Sequence, residues 1–104
     1  MDDLYYERLL SKVEKTIDNC SHEAIALSDH LANHPEVSEH EFESSKKHVE
    51  LLSRHGFEVE YPFLGIPTAF CATKSNGEGA KVALLVEYDA LPEIGHACGH
   101  CLHG

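Results

Sequence analysis

Lys81-Val82-Ala83-Leu84-Leu85-Val86-Glu87-Tyr88-Asp89-Ala90-Leu91-Pro92 is the stretch on which the reading of the fold turns. Its first six residues form a continuous apolar run of strand length, set off upstream by the turn-forming cluster Ser75 to Gly79. A strand buried on both faces of a helix-covered sheet has this unbroken pattern, because no position along it faces water. It is therefore the expected central strand. Acidic groups follow at its carboxyl end, which is where open α/β sheets carry their sites.

Upstream, the spacing of apolar residues shows what surrounds this strand. Phe57, Val59 and Tyr61 alternate with Glu58 and Glu60 ahead of Pro62, and Ala69 to Thr73 is again β-compatible, so two short strands with a hairpin-like link are expected. Helical spacing dominates before that. Leu4, Leu9, Leu10, Val13 and Ile17 predict an amphipathic helix over 3–18, with Asp2, Asp3 and Glu7 at its electropositive end. Asn19 and Cys20 interrupt the pattern, and Ser21 is placed to cap a second helix carrying Ala24, Ile25, Leu27, Leu31 and Ala32, which Pro35 ends. Ser38 followed by Glu41 is a capping-box pattern for a third helix, whose Phe42, Val49 and Leu52 stripe stops at Gly56. The chain thus reads as one unit of α/β class: helical over 3–55, strand-rich over 57–86, and ending in a loop over 87–104.

Composition narrows the function classes. Eight Lys and Arg against 18 Asp and Glu give a formal charge of -10, which repels phosphate backbones and anionic membrane surfaces, so neither nucleic acid nor membrane is an expected partner. With 42% hydrophobic and 25% charged residues among 104, the chain has the makeup of a small globular unit with a core. No apolar run approaches the ~18 residues of a membrane span, and the acidic N-terminus is unlike a secretory signal. A cytoplasmic location is the expectation. Cys20 and Cys71 stand alone in helix-like and strand-like contexts, so thiols are expected in place of a disulfide framework. Oligomeric state is left open.

The loop after the buried run carries the chemistry. In Gly95-His96-Ala97-Cys98-Gly99-His100-Cys101-Leu102-His103-Gly104, three His and two Cys fall within eight residues, a donor density suited to zinc or another borderline transition metal. Glu87 and Asp89 add oxygen donors, or partners able to orient an imidazole. Carboxylates elsewhere, such as Glu36 and Glu41, read as caps or solvated groups with nothing to bring them to a reacting water. His22, His30, His34, His40, His48 and His55 fall on or beside the expected helices and share no ligand spacing. The His30 and His34 pair, at i and i+4, is spaced to chelate on one helix face, yet is better explained by exposure. Cys98-Gly99-His100-Cys101 also has the letters of a thiol-disulfide oxidoreductase motif. That chemistry needs a helix beginning at the motif to lower the thiol pKa, and the chain has no Trp to precede it.

The stretch 87–100, EYDALPEIGHACGH, resembles the signature of the M20 metallohydrolases, particularly the aminoacylase-like amidohydrolases and M20 domain-containing dipeptidases. His34-Pro35-Glu36, His55-Gly56-Phe57-Glu58-Val59 and Gly65-Ile66-Pro67-Thr68-Ala69-Phe70 are similar in order and spacing to that family's N-terminal region, so the resemblance covers most of the chain. It implies an incomplete part of a zinc-peptidase-like catalytic domain, with Cys98 and His100 as metal ligands and Asp89 as the catalytic carboxylate supporting the metal centre. The implied cofactor is a divalent metal, zinc first, with manganese or cobalt as alternatives. The implied reaction is hydrolysis of an amide bond in small N-acyl amino acids or dipeptides. His103 matches a second His found in part of the family, and Cys101 departs from the Asp or Asn usual after His100. The family's catalytic Glu and its later Glu and His ligands are expected downstream of Gly104, so the chain is not expected to catalyse alone. The alternative is a truncated relative without activity.

Overall fold

A computed structural model describes residues 2–104. Its longest element is helix α1, Asp3–Asn33, whose 31 residues run unbroken through the expected interruption at Asn19 and Cys20. Those residues only lower helix propensity, whereas Gly or Pro would break the ladder. Ser21 does not cap a new helix: its hydroxyl donates to the Asp18 carbonyl at 2.8 Å, inside the helix. The two helices expected over 3–18 and 21–32 are therefore one. Asp2 caps it, accepting from the Leu4 amide at 3.1 Å.

Only the C-terminal half of α1 enters the core. Leu31 is fully buried, while Leu4, Leu9, Leu10, Val13 and Ile17 on the N-terminal half remain exposed. The core continues into helix α2, Phe42–Arg54, through Ser44, Ser45 and His48. The buried face of α2 is thus not the Phe42, Val49 and Leu52 stripe, and Phe42 is exposed. Its small hydroxyl side chains leave room for neighbours, and Ser45 meets the Tyr61 hydroxyl at 2.7 Å. His48, one of the six histidines outside the donor-rich loop, is buried.

The start of α2 also differs from the expected capping box. Glu41 occupies the cap position without a side-chain cap bond. Glu36 reaches in from before the helix, accepting from the Ser44 amide at 2.6 Å and the Glu43 amide at 3.1 Å. A carboxylate on otherwise unpaired amides satisfies both hydrogen bonding and the helix dipole. At the other end Gly56, with φ +85°, turns the chain in the left-handed region that favours glycine. Glu23 of α1 holds α1 and α2 together by meeting His55 at 2.5 Å and Arg54 at 3.8 Å. The His55 hydrogen bond is the main cause that lowers the Glu23 pKa from its ordinary value.

Strands β1, Glu58–Glu60, and β2, Cys71–Thr73, pair antiparallel with Val59 opposite Ala72. The mixed helix and sheet content agrees with an incomplete α/β domain. The run Lys81 to Val86, by contrast, is not a buried central strand. It has no regular secondary structure, and Leu84 and Leu85 are 86% and 95% exposed. A strand apolar on both faces is stable only between neighbours, and no described strand pairs with this run. Order resumes at its end, where the Ala90 amide donates to the Glu36 carbonyl at 2.7 Å and Val37 bridges Ala90 in parallel.

Candidate metal centre

Tyr88 anchors the segment that bears the two acidic side chains. It is buried, its ring stacks on His48 with centroids 4.7 Å apart, and its hydroxyl donates to the Thr68 carbonyl at 2.5 Å. Burial is the main cause that pushes its pKa up to about 12, so the phenol stays protonated as a donor. Glu87 and Asp89, one residue to either side, both meet His100.

The chain comes back to them through a tight loop. Leu91 and Gly95 exchange backbone hydrogen bonds of 2.9 and 3.2 Å, and Gly95, with φ +63°, packs beside the Pro35 ring. A 3-10 turn over His96–Cys98 follows, and Gly99, with φ +81°, redirects the backbone into the short helix α3, His100–His103. A Cβ-bearing residue would strain that left-handed step, so Gly99 is what permits Cys98 and His100 to lie on the same neighbour.

That neighbour is Asp89. The Nδ1 of His100 is 2.8 Å from Asp89 Oδ1 and 3.1 Å from the Asp89 carbonyl, which also accepts from the Cys98 thiol at 3.6 Å. On the other edge of the imidazole, Nε2 is 3.2 Å from Glu87 Oε2. The Asp89 hydrogen bond raises the His100 pKa; burial opposes it, and the charges of Asp89 and Glu87 reinforce it. The structure thus brings together Asp89, Cys98 and His100. It adds Glu87, which sequence reading named only as a general oxygen donor.

The donor chemistry suits a divalent ion. A carboxylate on Nδ1 holds the ring orientation and leaves Nε2 as the nitrogen that could reach an ion, an arrangement common behind metal-bound histidines. Cys98 and Cys101 are free thiols, half-buried. Both ring nitrogens of His96 are buried without hydrogen-bond partners. Ligand number is what falls short: among the described residues, no three His, Cys, Asp or Glu side chains converge to hold one ion. His103 lies beside His100, ring centroids 6.0 Å apart.

Two open clefts border α1, and only the second reaches this loop. One of about 450 Å³ lies between α1 and α2, lined by His22, Glu23, Lys47 and Arg54 among others. The second, about 390 Å³, is lined by Ile25, Leu27, Leu51, Cys101, Leu102 and Gly104 among others. His30 and His34 stack face to face with centroids 4.3 Å apart, and His34 Nδ1 lies 3.0 Å from the His30 carbonyl. That bond occupies His34 Nδ1 within the helix.

Sequence reading missed His48 because hydropathy scores a histidine as polar wherever it falls. Its Nδ1–H donates to the Ser44 carbonyl at 2.8 Å, and its Nε2 is buried without a partner. The nearest signal was its position one turn after Ser44 and Ser45, on the face that packs.

No family model matches the chain. Among curated proteins it is 37% identical over 110 residues to the Xaa-Arg dipeptidase of Mus musculus, covering 92% of this chain and 24% of that protein. It is 31% identical over 110 residues to thermostable carboxypeptidase 2 of Saccharolobus solfataricus, covering 91% of this chain and 28% of that protein. It is 30% identical over 113 residues to the N-acetyl-L-cysteine deacetylase of Bacillus subtilis, covering 90% and 24%. The chain spans about a quarter of the length of these relatives. The three names are those of a dipeptidase, a carboxypeptidase and a deacetylase. The chain belongs to the M20-type family of peptidases and amidohydrolases, of which it represents an N-terminal portion.

Proposed function

We propose that the chain supplies part of the metal centre of a metal-dependent hydrolase acting on amide bonds in small N-acyl amino acids or dipeptides. The observation that carries this reading is the Asp89–His100 hydrogen bond of 2.8 Å, with the Cys98 thiol on the same residue. Asp89 sets the imidazole tautomer, His100 presents Nε2 as a ligand, and Cys98 serves as a second ligand in its thiolate form. Zinc is the metal we infer first, with manganese or cobalt as alternatives. When bound, the ion polarises the amide carbonyl and acidifies a water. The tight Leu91–Gly95 loop and the Gly99 turn keep these side chains on one short segment. The names of the relatives support peptide or N-acyl amino acid substrates. Four free thiols accord with a cytoplasmic setting.

Zinc titration of the purified chain, with Cys98→Ser and His100→Ala beside it, tests the ligand assignment. One saturable site that both substitutions weaken is expected, and unchanged affinity in both removes the assignment. A second reading, a relative without catalytic function, is favoured by the absence of a third converging donor among the described residues. Hydrolysis of N-acyl amino acids or dipeptides by the chain, abolished by a chelator, would exclude it.

A further inference from the structure

The first half of helix α1 projects from the body as an arm. Every residue from 2 to 19 is exposed, and at ~1.5 Å per residue the 31-residue helix is about 46 Å long in a molecule whose longest extent is 51 Å. The arm is not polar all round. Tyr5, Tyr6, Leu9, Leu10, Val13 and Ile17 share one face at helical spacing, each between 44% and 62% exposed. A free helix of this length is marginal in water, because helices draw most of their stability from packing an apolar face.

The spacing of that face indicates which kind of element covers it. Tyr6, Leu10, Val13 and Ile17 alternate steps of four and three residues, and Cys20, Ala24, Leu27 and Leu31 continue the alternation to the end of the helix. This is the seven-residue repeat of a seam between two helices. In the body the chain closes the seam itself: Leu31 is fully buried, and Leu27 borders both clefts together with Leu51 of α2. Over the arm the same seam lies open.

We propose that the arm of α1 pairs antiparallel with the arm of a second copy of this chain. Ile17 then lies opposite Tyr6 of the second copy and Leu10 opposite Val13, so one surface covers itself in an isologous pair. A parallel partner would follow the seam into the space that α2 holds beside Leu27, whereas an antiparallel one carries its own body to the far end. The exposed fractions of the six side chains amount to roughly 600 Å² per copy, so the pair buries about 1,200 Å², the lower bound of a stable interface. Glu7 and Glu14 flank one side of the seam, and in this arrangement Glu7 of each copy faces Glu14 of the other.

Sedimentation equilibrium of the purified 104-residue chain from about 1 to 200 μM tests this, since an interface at that lower bound is expected to dissociate at about 10–100 μM. The parent should pass from monomer, with Leu10 open, to dimer across that range. Leu10→Glu combined with Val13→Glu places charge in the seam and should raise the dissociation constant at least about tenfold. Leu4→Glu, at a 52% exposed residue off the stripe, should leave it as in the parent. Glu7→Lys should lower it severalfold, by exchanging two repulsions for two ion pairs, and a rise instead would overturn the antiparallel pairing. Should charge in the seam unfold the arm, hydrogen exchange of the parent provides the readout: amide protection over 3–19 is expected to grow with concentration. A parent that stays monomeric throughout would overturn the proposal. So would a dimer indifferent to Leu10→Glu with Val13→Glu, which would place the contact elsewhere, the open run Lys81 to Val86 foremost. A monomer that binds phosphatidylcholine vesicles through 3–19 would give the face to a lipid surface and equally overturn it.

Discussion

His100 Nδ1 lies 2.8 Å from Asp89 Oδ1 across eleven residues of chain, and the loop between them is what makes the pair. If Asp89 orients a metal-binding imidazole, Asp89→Ala should lower zinc affinity about 10–100-fold without unfolding the chain. Asp89→Asn should lose less, because an amide oxygen still accepts from Nδ1–H. Calorimetric zinc titration of both variants measures it, and parent-like affinity in Asp89→Ala would remove Asp89 from the centre.

The two halves of α1 should respond differently to truncation. Leu31 is fully buried, so Leu31→Ala should destabilise the chain by about 2–5 kcal/mol. Leu10 is exposed, and Leu10→Ala should fall within about 0.5 kcal/mol of the parent. Urea unfolding followed by circular dichroism compares them. A large loss for Leu10→Ala would mean that the outer half of α1 is packed in solution.

Glu36 makes stability depend on acid pH. Burial raises its pKa, but the hydrogen bonds from Ser44 and the Glu43 amide outweigh this and hold it below its ordinary value of 4.5. A depressed carboxylate contributes stability that is fully present above the unfolded value and is lost as pH falls through the folded one. Unfolding free energy should therefore fall with acidification below about pH 4.5. In Glu36→Gln that dependence should be shallower, and removal of the cap in Glu36→Ala should cost about 1 kcal/mol. Urea midpoints collected across this range supply the comparison.

His48 acts in a higher window and with a related sign. Burial lowers its pKa from the ordinary 6.5, so the unfolded chain binds the proton more readily than the folded one. Stability should decline as pH drops below about 6.5, until the folded-state pKa is reached. His48→Phe, which retains a ring against Tyr88 and removes the unpartnered Nε2, should flatten that decline. An unchanged slope in melting temperature between pH 7 and pH 5 would show that another group is responsible.

Much of this molecule was legible before any coordinates because the deciding physics is local. Pro35 and Gly56 stop their helices through backbone restrictions written into those residues, and alternation across Glu58 to Glu60 needs only the two-residue period of a strand. The donor-rich loop was equally visible, since Cys98 and His100 are two positions apart and Asp89 is close upstream. Residue identity and short spacing carried those readings, and the EYDALPEIGHACGH stretch carried the family.

Folding in three dimensions settled the features that depend on distant neighbours. Glu36 rather than Ser38 caps α2, because the chain brings that carboxylate to the Glu43 and Ser44 amides. His48 is buried because Phe70 and Tyr88, far along the chain, close over it. The apolar run Lys81 to Val86 has the composition of a core strand and yet lies open, since burial belongs to a strand together with its neighbours and not to the strand alone. For the same reason the loop's donor chemistry was readable from residue types, while the placement of His100 between Asp89 and Glu87 emerged only from the path of the backbone through Gly99.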